Sequence, residues 1–305
     1  MSSDAVKFTS LDQPLFGGTV KADLVDYLGF VADRFVPVLA GRPLSVWRVL
    51  RGQDPFMQKN VPKYTPSFVK TTSVWAEASH RSIRYALCDD ERTLMWFANQ
   101  RAVEYHVPLS AGEHQTHLVL DVDPPEDAGF DVVVRSAFLI REALAAAGLS
   151  GLVKTSGAKG VHVFVPLLPH DPDDVAAATR ALAARAEKLD PALATTAYIR
   201  AERGGKVFLD STRAWGATVV AAYSPRLREG LPISFPVPWE SLADVTPADF
   251  TVRSRFEGDP WTSLMPAPQQ LPADLVAEGH EIPVARVVAM HEGKRRKRAA
   301  EQAGE

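Results

Sequence analysis

Cysteine is almost missing from this 305-residue sequence, in which Cys88 stands alone. A single thiol excludes an internal disulfide and a zinc site built on several cysteines, and it fits a reducing compartment, so a cytoplasmic location is expected. Long apolar runs are missing too: nothing approaches the roughly eighteen uncharged residues that a spanning helix needs, and no membrane association is expected. The opening MSSDAVKFTS has neither the basic start nor the apolar core of a secretory signal. Nor does one sign of charge prevail, since 34 Lys and Arg face 37 Asp and Glu for a formal net charge of −3. That total neither demands nor forbids a nucleic-acid partner, because phosphates are held by local positive charge that a total can hide.

What is present is ordinary for a globular chain with a buried core, 46% hydrophobic and 23% charged. The charge is unevenly placed. Lys294-Arg295-Arg296-Lys297-Arg298 forms a cationic run, and Asp171, Asp173 and Asp174 an acidic one. Such a tail is ordinarily solvated, so residues 291–305 are read as disordered, with DNA as the contact they would make if any.

Residues 1–20 read as an extended arm. Leu24, Leu28, Val31, Phe35 and Leu39 recur at steps of three and four, which predicts an amphipathic helix over 21–40, closed by Gly41 and Pro43. Residues 44–100 alternate short β-branched or aromatic runs (44–49, 82–87) with turn-rich loops, and 54–63 reads as loop. The middle is more regular: a buried strand at 117–122, a helix at 130–148, short strands at 152–155 and 161–166, and an alanine-rich helix at 173–189 capped by Asp171 or Asp173. A last strand pair is expected at 206–209 and 217–222. Strands interleaved with two helices give an α+β, split-βαβ pattern. Beyond Pro225, prolines 232, 236, 238 and 247 suggest a surface wrap.

The sharpest local feature is Leu118-Val-Leu-Asp121-Val-Asp123-Pro124-Pro125. Residues two apart on a strand share a face, so Asp121 and Asp123 stand side by side where the prolines stop the strand. Like charges this close repel unless a proton or cation intervenes, and hard oxygen-seeking ions, Mg²⁺ or Mn²⁺, suit the arrangement. On its own, though, such a pair is more readily a solvated strand end. A second feature, Thr155-Ser156-Gly157-Ala158-Lys159-Gly160-Val161-His162, lies between two short strands. Its glycines would let backbone N–H groups approach an anion, with Ser156, Lys159 and His162 adding polar contacts. It is no Walker loop, and it also reads as a plain hairpin turn. A third, Val207-Phe208-Leu209-Asp210, is a short apolar strand ending in an acid, with Arg203, Lys206 and Arg213 nearby. Ahead of the acid pair comes Glu104-Tyr105-His106-Val107-Pro108.

The order of these segments resembles the polymerase domain of bacterial ligase D, in the archaeo-eukaryotic primase superfamily. The likeness covers roughly residues 10–245 and rests on GRP (41–43), EYHVP (104–108), LVLDVDPPE (118–126), TSGAKGVHVFVPL (155–167), GKVFLD (205–210), AAYSPR (221–226) and PVPWESL (236–242). It implies an α+β primase-polymerase catalytic fold, with an RRM-like split-βαβ metal-binding subdomain packed on an N-terminal α/β module. The expected organisation is one catalytic domain over 1–290, with an N-terminal module of about 1–115, a catalytic subdomain of about 116–250 and a proline-rich wrap of about 225–290.

Function follows by the same resemblance. Asp121, Asp123 and Asp210 would bind two divalent ions, Mn²⁺ or Mg²⁺, one activating a primer 3′-hydroxyl and the other holding the triphosphate. Ser156, Lys159, His162, Arg226, His106 and Arg48 are implied as nucleotide contacts, and Lys21, Phe56 and Lys59 as DNA contacts. The expected substrates are nucleoside triphosphates and gapped or primed duplex DNA. With no ligase or nuclease module in the chain, a separate ligase or other repair protein is the expected partner.

Departures from the family pattern bear on the substrate. Phe56-Met57 stands where the family has a Phe-Phe stacking pair, and Gln13 where it has a second lysine for a 5′-phosphate. The segment 47–59, which would read the 2′-hydroxyl, departs most, and a ribonucleotide preference is expected. Two other readings stay open at this level. One is a primase starting strands de novo, which needs a second nucleotide site that no local feature shows. The other is a catalytically silent DNA-binding module, against which the retention of all three acids counts; a metal-dependent nuclease would have no use for a triphosphate cradle.

Overall fold

The computed structural model of the chain describes residues 6–76, 80–111, 114–214 and 217–284. The cationic run Lys294–Arg298, with the whole expected tail 291–305, lies outside the described residues. In chain order the elements are α1 (Lys21–Leu39), β1 (Ser45–Arg48), β2 (Phe56–Gln58), β3 (Thr71–Ala76), β4 (Arg81–Ala86), α2 (Glu91–Asn99), β5 (Ala102–Pro108), β6 (Ser110–Ala111) and β7 (His114–Asp123). There follow α3 (Phe130–Ala146), β8 (Leu152–Thr155), β9 (Val161–His170), α4 (Pro172–Leu189), β10 (Ala194–Thr195), β11 (Val207–Asp210), β12 (Thr218–Val220), β13 (Pro236–Val237), α5 (Pro260–Leu264) and α6 (Ala273–Glu281). No described helix is long and apolar enough to cross a membrane.

Two compact units interleave along the chain. Among the described residues, the first takes 6–76, 80–111, 152–159 and 217–265; the second takes 114–151, 160–214 and 266–284. The continuous stretch of about 116–250 drawn from the sequence is thus divided between them.

In the first unit, α1 buries the face that the sequence periodicity marks: Leu24, Leu28, Val31, Phe35 and Leu39 are all inaccessible. Its start is held by Asp23, whose carboxylate accepts the Val20 N–H at 2.9 Å. An antiparallel sheet runs β12-β5-β1-β2, and β3 and β4 form a separate hairpin. The segment 54–63, expected as loop, contains β2, whose Phe56 pairs with Arg48. Helix α2 was not expected at all. Its apolar block Leu94–Ala98 is contiguous and reads as a strand, yet Asp90 caps it by accepting the Thr93 N–H at 2.7 Å.

In the second unit the sheet order is β10-β11-β7-β9, antiparallel except for the β10–β11 pair. One sheet face carries Leu118, Leu120, Val122, Val161, Val163 and Leu209, all buried, and α3 and α4 pack on β7. Each such side chain contributes about 1.5–3 kcal/mol by leaving water. Asp171 caps α4 through the Asp173 N–H at 2.8 Å, one of the two caps expected. Helix α6 lies against α4 so closely that Gly279 has no room for a side chain: a Cβ there would sit 1.9 Å from the Ala177 carbonyl oxygen.

Two other expectations are corrected. The runs near 206–209 and 217–222 do not pair with each other: β11 pairs with β7 and β12 with β5. The stretch after Pro225 is not surface throughout: residues 231–237 are buried and β13 pairs with β8, while most described residues from 238 on are half-buried or exposed.

Candidate functional site

Strand register gathers the acids. Within β7, Asp121 and Asp123 share the face opposite the apolar one, and antiparallel pairing sets Asp210 of β11 directly across from Asp121. On the other side of β7, His162 of β9 is the register partner of Asp121. His162, Asp121 and Asp210 therefore form a row across three strands, with Asp123 one step toward the strand end.

The three carboxylates live in different surroundings. Asp121 is buried; its Oδ1 lies 3.3 Å from His162 Nε2 and its Oδ2 accepts from Arg213 at 3.0 Å. Burial alone would raise this carboxyl, but His162 and Arg213 outweigh it and hold the group well below the ordinary carboxylate range. Asp210 is also buried. Its Oδ1 accepts from the Thr212 N–H at 2.8 Å and the Thr212 hydroxyl at 2.6 Å, while Oδ2 faces Arg213 Nε at 3.3 Å. Asp123 reaches solvent, yet partial desolvation and the negative charge of Asp121 and Asp210 push its carboxyl up to about 6. The cluster thus carries more negative charge than its own cations balance.

Three hard oxygen donors with surplus charge are the chemistry a divalent Mg²⁺ or Mn²⁺ ion requires. A cation already stands in there, because the Arg213 guanidinium bridges Asp121 and Asp210. As they stand, no three His, Cys, Asp or Glu side chains among the described residues form a ready metal cluster. The carboxylates are of the donor type that such an ion takes, with Arg213 standing between two of them.

A second polar cluster belongs to the first unit. The Ser156–His162 stretch is split: Ser156 to Lys159 fall in this unit and Gly160 to His162 in the other. Gly157 is left-handed at φ +65°, where a Cβ would meet Arg226 Cγ at 2.7 Å. Arg226 donates to the Ser156 carbonyl, and its Nε lies 3.2 Å from Glu104 Oε1. Glu104 also accepts the Leu227 N–H at 2.7 Å and touches His106 Nε2 at 2.9 Å. Burial would raise Glu104, but His106, Arg226 and the Leu227 N–H together bring it to about 2. The His106 imidazole is lowered by burial, against the pull of Glu104. Ser156, Arg226 and His106 are therefore gathered around Glu104, while Lys159 is exposed at the end of the loop.

The remaining sequence-assigned residues sit elsewhere in the first unit. Arg48 is buried and spends its donors internally, on the Gln100 carbonyl at 2.8 Å and Gln58 Oε1 at 2.6 Å, with the Phe56 ring centre 5.9 Å from its Cζ. Lys59 is exposed just past β2. Lys21 is buried at the wall of a polar pocket of about 270 Å³ that Gln13, Arg48, Asn99 and Arg101 also line. Its ammonium donates to the Thr9 carbonyl and to Asn99 Oδ1, both at 2.6 Å.

Two residues escaped assignment from the sequence. Glu104 stands two places before His106 on one strand, so a shared face was legible; its burial was not. Arg213 follows Asp210 by three residues, and the short 3₁₀ turn over Thr212–Ala214 that brings it back is not written in any local pattern.

Comparison with known proteins fits this arrangement. The family model described as LigD, primase-polymerase domain, matches residues 20–261. The bifunctional non-homologous end joining protein LigD of Bacillus subtilis (strain 168) is 31% identical over 286 residues, covering 89% of this chain and 46% of the relative. The multifunctional non-homologous end joining DNA repair protein LigD of Mycobacterium tuberculosis H37Rv is 33% identical over 264 residues, 80% of this chain and 34% of the relative. The chain thus spans less than half the length of these curated relatives. Among solved structures, the polymerase domain of Mycobacterium tuberculosis ligase D in complex with DNA superposes with a TM-score of 0.75 at 30% identity, covering 82% of this chain and 92% of that one. The α+β primase-polymerase fold expected from the sequence is the fold this chain has.

Proposed function

The chain belongs to the LigD primase-polymerase domain family, and we propose that it is a nucleotidyltransferase of DNA repair that adds nucleoside triphosphates to a primer 3′-hydroxyl. Filling of short gaps during end joining is the task this reading favours, with gapped or primed duplex DNA as substrate. The observation that carries it is the register that sets Asp121, Asp123 and Asp210 on one sheet face.

In this reading the three carboxylates hold two divalent ions, Mn²⁺ or Mg²⁺. When bound, these supply the positive charge that acidifies a primer hydroxyl and steadies the pyrophosphate as it leaves. The chain's own residues do the rest. Asp121 and Asp210, buried and held by hydrogen bonds, present fixed donor oxygens without reorganising. The candidate phosphate contacts are, within the second unit, His162 beside the aspartates and, within the first unit, Ser156, Lys159 and Arg226, whose guanidinium is suited to charge-assisted hydrogen bonds. Glu104 orients His106 and Arg226 from behind and keeps both from collapsing onto other acceptors. A filled gap still leaves a nick, and sealing it is a separate reaction, so a DNA ligase is the expected partner.

The test is extension of a primer across a short gap in Mn²⁺. The wild type is expected to add nucleotides, and Asp121→Ala with Asp123→Ala to lose at least about a hundredfold of that rate, the scale on which electrostatic stabilisation acts. No incorporation by the wild type, or an unchanged rate in the double variant, rejects the reading.

A further inference from the structure

The oxygens of the two buried aspartates are already allotted. Asp121 Oδ1 faces His162 and Asp210 Oδ1 is taken twice by Thr212. The two that remain, Oδ2 of each, are met by one guanidinium: Arg213 Nη2 at 3.0 Å from that of Asp121 and Nε at 3.3 Å from that of Asp210. The side chain that does this is 35% exposed, against 11% and 9% for its partners, so it approaches from the solvent side. The turn that carries it is the turn that fixes Asp210, because Thr212, one residue earlier, supplies both hydrogen bonds to Oδ1.

A divalent ion held by Asp121 and Asp210 would compete for the same lone pairs. Oxygen ligands close to about 2.0–2.1 Å on Mg²⁺, which leaves no room for a guanidinium in line with both carboxylates. Two cations sharing that space also repel. We infer that Arg213 is an internal counter-ion of the Asp121–Asp210 pair, which must withdraw before a divalent ion can enter and which thereby sets the affinity for that ion. The inference rests on the metal-binding reading of the three aspartates given above. Its physical sense is that two buried carboxylates on adjacent strands, directly opposed in register, would otherwise push those strands apart in the ion-free protein. The partly exposed position gives Arg213 a way out that a buried arginine would lack. Arg213 is in these terms a positioning residue. It acts on the ion's ligands and not on the reacting atoms.

Binding of Mn²⁺ alone, without nucleotide or DNA, tests this by calorimetric titration of the wild type, Arg213→Gln and Arg213→Lys. Glutamine removes the competing charge, and Mn²⁺ is expected to bind about tenfold more tightly. Lysine keeps the charge but cannot bridge two carboxylates with a planar fork, and an intermediate affinity is expected. Melting without metal gives a second readout: Arg213→Gln is expected to unfold at lower temperature than the wild type and to gain more from saturating Mn²⁺. Should the glutamine variant fail to fold, the lysine variant decides by the same comparison. Equal or weaker Mn²⁺ binding in the variants overturns the inference and leaves the metal reading standing. No Mn²⁺ binding by the wild type or either variant overturns both.

Discussion

At the scale of single residues, Asp123 bears the repulsion that its neighbours have been spared. Asp121 and Asp210 each have hydrogen-bonded partners, whereas Asp123 is partly desolvated and left facing their charge, with its carboxyl at about 6 against an ordinary 3.8. A carboxyl raised on folding contributes stability in full below about 3.8 and loses it as the pH rises through about 6. In chelator, the melting temperature of the wild type is therefore expected to fall across that window, and that of Asp123→Asn to stay flatter. At neutral pH the variant should be the more stable by about 1 kcal/mol, since the tip of Asp123 reaches solvent and is screened. Thermal melts of both proteins across the window check this; parallel curves would show the like-charge account to be wrong. Asp210 was joined to the other two acids only through the family resemblance, whereas the shared face of Asp121 and Asp123 was legible in the sequence from strand alternation. That Asp210 stands opposite Asp121 was not, since register between strands some ninety residues apart is set by packing and not by either strand alone.

At the scale of elements, Gly160 governs how β9 meets β7. A Cβ at this position would lie 1.9 Å from the Val122 carbonyl oxygen, so the chain entering β9 can approach β7 only without a side chain. The sequence reading attached this glycine to anion binding, and the structure gives it a packing reason as well. Gly160→Ala is expected to cost about 1–3 kcal/mol in denaturant unfolding and to impair extension, because His162 lies two residues on. Gly29→Ala, in α1 with open space around it, should instead be neutral or stabilising by up to about 1 kcal/mol. A similar loss at both positions would count against the close-approach account. Elements with clear periodicity or caps, such as α1, α3 and α4, were legible within a residue or two. The nine residues of α2 were not, because a helix that short with a contiguous apolar core lacks the alternation that separates helix from strand.

At the scale of the whole molecule, a chain of net charge −3 that is proposed to bind DNA would have to do so through local positive features. The polar pocket lined by Lys21, Arg48 and Arg101 is one such feature, with Gln13 also on its wall, at the position where the sequence reading expected a further lysine. Lys21 is lowered by burial and by Arg101, and its ammonium is committed to Thr9 and Asn99. A 5′-phosphate on the far side of a gap is thus expected to tighten DNA binding by no more than about tenfold over a 5′-hydroxyl. Lys21→Ala should abolish that difference; fluorescence anisotropy with the two oligonucleotides measures it, and a difference that survives the substitution would place the phosphate elsewhere. The interleaving of the two units also bears on how the protein is made. The first unit's sheet draws β12 from residues 218–220, and its β8 awaits β13 at 236–237. A ribosome that has delivered the first 113 residues has therefore released a sheet with an open edge. At about 5–20 residues per second that edge stays uncovered for several seconds, the interval in which a nascent chain is most exposed to wrong pairing.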